Sequence, residues 1–301
     1  MKVLSHQYES MHHIAIISDI HDWHSQQLEI NLKKKKCKVL KIKYEELSAF
    51  FNNNEEFLFN KKIKKINGVW ARFINNGTLE KITTKLTFLH LLEQIGIYVH
   101  NSGQVIEKTV DKVRSTGLLS INKILSPVTY VSIGNLKKKV LRDSLLKPIF
   151  GSQGKNIKFI NKDSNVQNLS ALGDVFYLQN FLGDKSDKLF WDIRVLVSNH
   201  RAISAMKRIS TNYVTNAYQG SKIEKIKLNN ELRKLSNKVS RLFGLGYGGI
   251  DIKLFKKRYY ILEVNSIPSW NSLQKVEELD ISEILVNDFL KTLEKKCQKK
   301  S

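Results

Sequence analysis

The chain has 301 residues, 42% hydrophobic and 26% charged, which suits one large domain or two to three lobes around a shared cleft. No apolar run approaches the ~20 residues of a membrane helix, Met1 to His13 holds no secretory core, and Cys37 and Cys297 form no C-x-x-C pair, which argues against a zinc site or disulfide framework and for a cytoplasmic setting. The net charge of +22 would suit a nucleic-acid binder, but the excess is mostly lysine, dispersed over Lys33–Lys36, Lys61–Lys65, Lys137–Lys139 and Lys295–Lys300 without an Arg-rich helix or aromatic RNA-binding motif, so it reads as a lysine-rich surface that steers anionic substrates.

His13 to Ser18 is a short apolar run of the kind that forms a buried parallel strand. A polar loop at Asp19 to Trp23, a helix over Gln26 to Leu32 and a strand over Cys37 to Ile42 follow. A third strand is expected at Gly68 to Phe73, a helix at Thr83 to Gly96 and a fourth strand at Ile97 to His100. This rhythm predicts an N-terminal doubly wound α/β lobe over 1–105. Four histidines near the N-terminus, His12, His13, His21 and His24, invite a metal reading, but surface or core roles are the commoner fate of such residues.

From Val110 to Asn122 the pattern is helical, and Pro127 ends it. Strands are expected at Ser144 to Phe150, with Pro148 demanding an edge or bulge, and at Asn156 to Ile160, with an apolar stretch at Phe176 to Leu182. One hairpin is expected from Asp192–Val197 and Arg201–Arg208, a helix over Glu231 to Phe243, a second hairpin from Gly248–Leu254 and Tyr259–Asn265, and a last helix over Ser282 to Lys296. The rest of the chain is therefore mixed α+β, divided into 106–182 and 183–296.

Chemistry concentrates at three places. In the second hairpin, alternation sends Ile250, Ile252 and Leu254 one way and Asp251 and Lys253 the other; on the return strand Tyr260, Leu262 and Val264 share a face, opposite Glu263 and Asn265. With Asp251 opposite Glu263, which calls for an odd-numbered loop centred on Lys257, two carboxylates and an amide converge as hard oxygen ligands suited to Mg2+. A solvent-facing acidic strand is the plainer reading of the same pattern. Lys147 precedes a turn bounded by Gly151 and Gly154, where backbone N–H groups can approach phosphate, although the P-loop spacing is missing and an ordinary turn stays open. Arg194 and Arg208, on two strands of one hairpin, could grip a carboxylate or acyl phosphate bidentately, or make surface ion pairs.

In order, VDKVRS with Lys112, KPIFGSQG, YLQNFL, DIRVLV, AMKRIS, NYVTNAYQG, GIDI and ILEVNSIP resemble the RimK-like branch of the ATP-grasp superfamily, the α-L-glutamate ligases, over about residues 100 to 290. GVWARF, LTFLHLLEQIG and NSIPSW resemble its tetrahydromethanopterin:α-L-glutamate ligase subgroup. The resemblance implies an ATP-grasp fold behind a pre-ATP-grasp lobe. It implies ATP and two Mg2+ ions, with Mn2+ as a substitute, and L-glutamate plus a carboxylate-bearing small acceptor as partners. Lys112 and Lys147 would contact phosphates, and Gly151, Ser152, Gln153 and Gly154 would cover them. Gln179, Asn180, Phe181 and Leu182 would line the adenine pocket, largely through backbone groups, and Asp192 would help hold the nucleotide. Asp251, Glu263 and Asn265 would bind metal, and Arg194, Arg208 and Asn216 would face the substrate. Asn180 stands where the family is usually acidic, and Val214-Thr215-Asn216, Gln219 and Asn265-Ser266-Ile267-Pro268 depart from its usual stretches, where the acceptor is recognised. A protein-tail acceptor, a nucleotide-binding module without activity and a homo-oligomer stay open at this level.

Overall fold

The computed structural model describes residues 11–52, 55–59, 63, 65–134, 140–151, 154–164, 174–215 and 220–298. The chain divides into two compact units, one made of Met1–Gly103 with Ser282–Ser301, the other of Gln104–Ile281.

The first unit begins with β1 (His13–Ile17), α1 (Trp23–Lys34), β2 (Lys38–Ile42), a hairpin of β3 (Ala49–Asn52) and β4 (Glu55–Phe59), β5 (Gly68–Ala71), α2 (Leu79–Gln94) and β6 (Tyr98–His100). Its sheet has the order β2-β1-β5-β6, all parallel. The residues of β5 are all buried, as are Ile14 to Ile17 in β1, which is why these strands read as apolar runs rather than alternations. Asp22 starts α1 by accepting a hydrogen bond from the Ser25 N–H at 3.1 Å, and Lys33 and Lys34 in its last turn complement the helix dipole. The histidines form no metal cluster among the described residues; His24 instead pairs through Nδ1 with Asp22 at 2.7 Å.

The second unit opens with α3 (Gly103–Val110) and α4 (Lys112–Ile121), where one helix from Val110 was expected. Asp111 divides them: its carboxylate accepts from the N–H groups of Val113 at 2.9 Å and Arg114 at 3.0 Å and so starts a new helix. β7 (Thr129–Ile133), β8 (Ser144–Leu146), β9 (Lys158–Ile160) and β10 (Val175–Asn180) form an antiparallel sheet in the order β7-β10-β8-β9. β8 is an inner strand, and Pro148 lies beyond its end rather than within an edge strand as expected. Phe176 and Leu178 join Val140, Leu146 and Ile160 in one core, so Tyr177 and Gln179 point to the other face.

β11 (Phe190–Ser198), β12 (Arg201–Ser210), β13 (Lys222–Lys225), α5 (Asn230–Phe243), β14 (Tyr247–Phe255), β15 (Arg258–Asn265) and α6 (Asn271–Gln274) complete this unit. The sheet order is β13-β12-β11-β14-β15, all antiparallel. Asn199 and His200, both at positive φ (45° and 60°), make the tight turn expected between β11 and β12. Asn229 starts α5 by accepting from Leu232 N at 2.8 Å, and Gly244 ends it at φ 73°. α5 covers the sheet with Leu232, Val239 and Phe243, packed in one core with Val195, Val197, Ile250 and Ile252.

The last helix, α7 (Ile281–Gln298), packs with the first unit. Its Phe289 lies against Trp70 and Tyr98, with ring centroids at 5.0 and 5.4 Å. Among the described residues no helix is long and apolar enough to cross a membrane.

Candidate active site

The hairpin of β14 and β15 places Asp251 opposite Glu263 and Asn265 opposite Gly249. The expected convergence is met by a different route. The turn has only two residues, Lys256 and Lys257, both at positive φ (47° and 62°). From that turn Phe255 pairs with Arg258 and Ile252 with Ile261, a register that would send Asp251 opposite Leu262. A bulge between Asp251 and Ile252 inserts Leu262 as an extra residue and restores Asp251 to Glu263. The core face of β15 is therefore Ile261 and Val264, with Tyr259 partly buried beside them, not the Tyr260, Leu262 and Val264 set predicted by strict alternation. At Gly248 a Cβ would come within 2.9 Å of the Asn265 carbonyl oxygen, so the close approach of the two strands requires glycine there.

Around Asp251 the five-stranded sheet gathers its charges. Arg194, its neighbour on β11, binds it bidentately, Nε to Oδ1 at 2.6 Å and Nη2 to Oδ2 at 2.7 Å. Arg208 on β12 holds Asp192 in the same fork, at 2.6 and 2.5 Å, and reaches Asp251 at 3.0 Å. Thr215 adds a hydroxyl donor to Asp192 at 2.7 Å. Burial alone would raise the Asp251 carboxyl, but Arg194 and then Arg208 hold it down at about 2. Burial pushes Asp192 up against the pull of Arg208, and the carboxylates outweigh burial to hold Arg208 firmly charged. Asp192 is thus placed to orient Arg208. Lys253 lies on the face of Asp251, but its ammonium turns away to the Trp191 carbonyl at 2.6 Å and over the Trp191 ring at 4.4 Å.

The lysines come from the other part of the unit. Lys112, the first residue of α4, donates to the carbonyl of Gly151 at 3.0 Å and lies 3.4 Å from Glu263. Lys147, one residue past β8, donates to Gln179 Oε1 at 2.6 Å. Desolvation draws its pKa down to about 8, with Glu263 opposing and Lys112 reinforcing the shift. A Cβ at Gly151 would lie 3.0 Å from Pro148 Cγ, and Gly154 sits at φ 69°, so both glycines serve the tight turn after Lys147. Ser152, Gln153 and Asn216 lie outside the described residues.

In the stretch expected to border adenine, the N–H groups of Asn180 and Phe181 bond to the carbonyls of Val128 and Asp143, each at 2.8 Å. Asn180 lines a cavity of about 310 Å³ with Val128, Tyr130, Ser144 and Leu178. Strand alternation puts that cavity on the side of β10 opposite Gln179. Phe181 packs edge-on against Phe159 at 5.3 Å, Phe159 meets Tyr213 at 5.4 Å, and Leu182 is half-buried. Sequence reading passed over Tyr177 and Thr129, which bond to Gln179, and Thr116, which bonds to Tyr177. The two-residue spacing of Tyr177 and Gln179 was the available signal.

The oxygen donor types fit a hard cation, while both Asp251 oxygens are held here by Arg194 and Arg208. Asp251 and Glu263 face each other across the strands, and Asn265 Nδ2 is buried without a hydrogen-bond partner. Turning that amide over presents Oδ1 at the same place. Two carboxylates and an amide oxygen form a set Mg2+ accepts. Among the described residues no three His, Cys, Asp or Glu side chains cluster as metal ligands.

In the second unit, an antiparallel sheet with Lys147 just past one of its strands and a second antiparallel sheet bearing arginines and acidic residues belong, with a parallel α/β unit in the same chain, to the ATP-grasp fold. The fold is shared, over 93% of this chain and 98% of the other, with the ATP-grasp ligase PsnB in complex with a minimal precursor, Mg and ADP (TM-score 0.70, 18% identity). The RimK-like ATP-grasp domain model matches residues 109–289. The chain belongs to the RimK-like ATP-grasp family and is an ATP-grasp ligase. It is 29% identical to the tetrahydromethanopterin:alpha-L-glutamate ligase of Methanococcus maripaludis, covering 92% of this chain and 97% of that protein. It is 25% identical to the alpha-aminoadipate–LysW ligase LysX of Sulfurisphaera tokodaii, covering 94% and 99%.

Proposed function

We propose that this ligase joins the amine of L-glutamate to a carboxylate of a small cofactor, such as a tetrahydromethanopterin precursor, with ATP converted to ADP and phosphate. The observation that carries this reading is the pairing of Lys112 with Glu263 at 3.4 Å and of Arg194 and Arg208 with Asp251 at 2.6 and 3.0 Å, where Asp251 and Glu263 are cross-strand partners. The near full-length likeness to a tetrahydromethanopterin:alpha-L-glutamate ligase supports the acceptor class.

Each residue's part follows from its chemistry. Lys112 and Lys147 hold the ATP phosphates as point charges, and the turn bounded by Gly151 and Gly154 covers them, excluding water. The Gln179 to Leu182 stretch borders the base. Asp251, Glu263 and Asn265 hold Mg2+, two ions replaceable by Mn2+, which when bound would screen the phosphate charge. The acceptor carboxylate attacks the γ-phosphorus, and Arg194 and Arg208 stabilise the charge that spreads over the transferring oxygens, with Asn216 beside them. The acyl phosphate is then attacked by the amine of glutamate and phosphate leaves. Along the chain, 106–182 supplies the phosphate-binding part and 183 onward the metal and substrate part, ending before α7. Residues 1–105 form the pre-ATP-grasp lobe. A cytoplasmic setting accords with Cys37 and Cys297, both free.

The test is ADP release from Mg-ATP and L-glutamate with a tetrahydromethanopterin-type acceptor, a glutamate-tailed peptide and a control. Turnover with the pterin alone, lost in Glu263→Ala, supports the reading; turnover only with the peptide overturns the acceptor class.

A further inference from the structure

A chain of uncharged groups, buried at Tyr177 and Gln179 and partly buried at Thr116 and Thr129, leads from α4 to Lys147. Thr116 Oγ1 and Tyr177 Oη lie 2.6 Å apart. Gln179 Nε2 donates to Tyr177 Oη and to Thr129 Oγ1, both at 3.2 Å, while Gln179 Oε1 accepts from Lys147 Nζ at 2.6 Å. Tyr177 and Gln179 are each 2% exposed, so water does not substitute for these partners.

The polarity of the chain is fixed. The Thr129 hydroxyl gives its proton to the Pro127 carbonyl at 2.9 Å, so toward Gln179 it can only accept. Burial pushes the Tyr177 phenol up, which keeps it neutral, and with Thr116 as its further partner it too accepts from the amide. Turning the Gln179 amide over would set its N–H groups against an ammonium and its oxygen against the Thr129 hydroxyl, whose proton is already given to Pro127. One orientation alone satisfies every group, and it aims the carbonyl oxygen at Lys147.

We infer that Thr129 and Tyr177, with Thr116 behind Tyr177, are positioning residues that lock the Gln179 amide so that its oxygen holds the Lys147 ammonium ready for phosphate. The inference rests on Lys147 being a phosphate-binding residue. The charged groups that act on Lys147 are Glu263, Asp251 and Asp192, which favour its protonated form, and Lys112, which opposes it. The amide oxygen is the hydrogen-bond acceptor of the ammonium at 2.6 Å, so loosening it weakens the protonated form.

The experiment is equilibrium binding of a fluorescent ATP analogue with Mg2+ from about pH 6.5 to about pH 9.5, with melting curves to confirm folding. Wild type should lose affinity on the alkaline side, and Lys147→Met should abolish that pH dependence. A wild-type profile without an alkaline loss overturns the role of Lys147 and the positioning inference together. With the loss present, Tyr177→Phe and Thr129→Val should bind almost normally at about pH 6.5 and about 3–10-fold more weakly at about pH 8.5, the midpoint moving down by about half a unit. Gln179→Glu should move it up, because a carboxylate favours the ammonium more than an amide does. Thr116→Val should follow Tyr177→Phe with a smaller shift. Midpoints unchanged in Tyr177→Phe and Thr129→Val, or losses equal at every pH, would overturn the positioning role while leaving Lys147 as a phosphate ligand.

Discussion

The two sheets of the second unit bury positive charge in different ways. In the five-stranded sheet, Arg194 and Arg208 are locked in bidentate forks with Asp251 and Asp192, charge against charge. In the four-stranded sheet, Lys147 meets a neutral amide that hydroxyl groups hold in place. A guanidinium stays charged at any working pH, whereas desolvation leaves an ammonium held by a neutral amide open to titration at about 8. The first arrangement buys permanence, and the second leaves Lys147 responsive to the charge that a phosphate brings.

The largest expected effect removes the metal side of the site. Glu263→Ala should lower acceptor-dependent ADP release at least about a hundredfold, with little change in melting temperature because Glu263 is partly exposed. A loss below about tenfold would break the assignment. Next, Arg208→Leu leaves Asp192 and Asp251 buried around an apolar side chain and should cost about 3–5 kcal/mol in urea unfolding. Adding Asp192→Leu should recover part of that cost; no recovery would mean the Arg208 fork is not what Asp192 serves. Third, the neutral-partner arrangement predicts that ATP affinity falls about tenfold per pH unit above the Lys147 pKa of about 8. The same depressed pKa works oppositely on folding. Between about 8 and the ordinary lysine value of 10.5 the unfolded chain holds the proton that the folded chain has lost, so stability gains as pH rises through that window. Urea midpoints of wild type and Lys147→Met across the window measure this. The smallest effect lies away from both clusters: Asn229→Ala removes the α5 cap and should cost about 1 kcal/mol without touching ATP binding.

Much of this was legible in the sequence where a local rule governs. The parallel strands showed as apolar runs at Ile14 to Ile17 because both of their faces are covered. Asp251 and Glu263 were recognisable as a facing pair, since alternation along a hairpin is short-range physics. The bulge at Leu262 was not legible: a two-residue turn and a loop of odd length leave the same pairing, and only the burial of Ile261 separates them. The break at Asp111 was readable as a capping signal but was overshadowed by the helical pattern on either side. The Thr116–Tyr177–Gln179 chain joins a helix to a strand some sixty positions away, |i−j| = 61 for its first link, and no local pattern records it.

The bulge in β15 also acts as a phase corrector. Residues before it are in step with the turn, and residues after it are in step with Asp251. Straightening the bulge with Leu262 kept would carry Glu263 toward the packed core and Val264 toward the charged face, whereas deleting Leu262 would remove the bulge and leave Glu263 opposite Asp251. Insertions or deletions elsewhere in β15 are read as a slipped phase over the rest of the strand, whereas the Lys256–Lys257 turn at its tip accepts exchange for Asn-Gly without moving a single functional side chain. The hairpin is free to vary at its tip and bound to an exact length in its shaft.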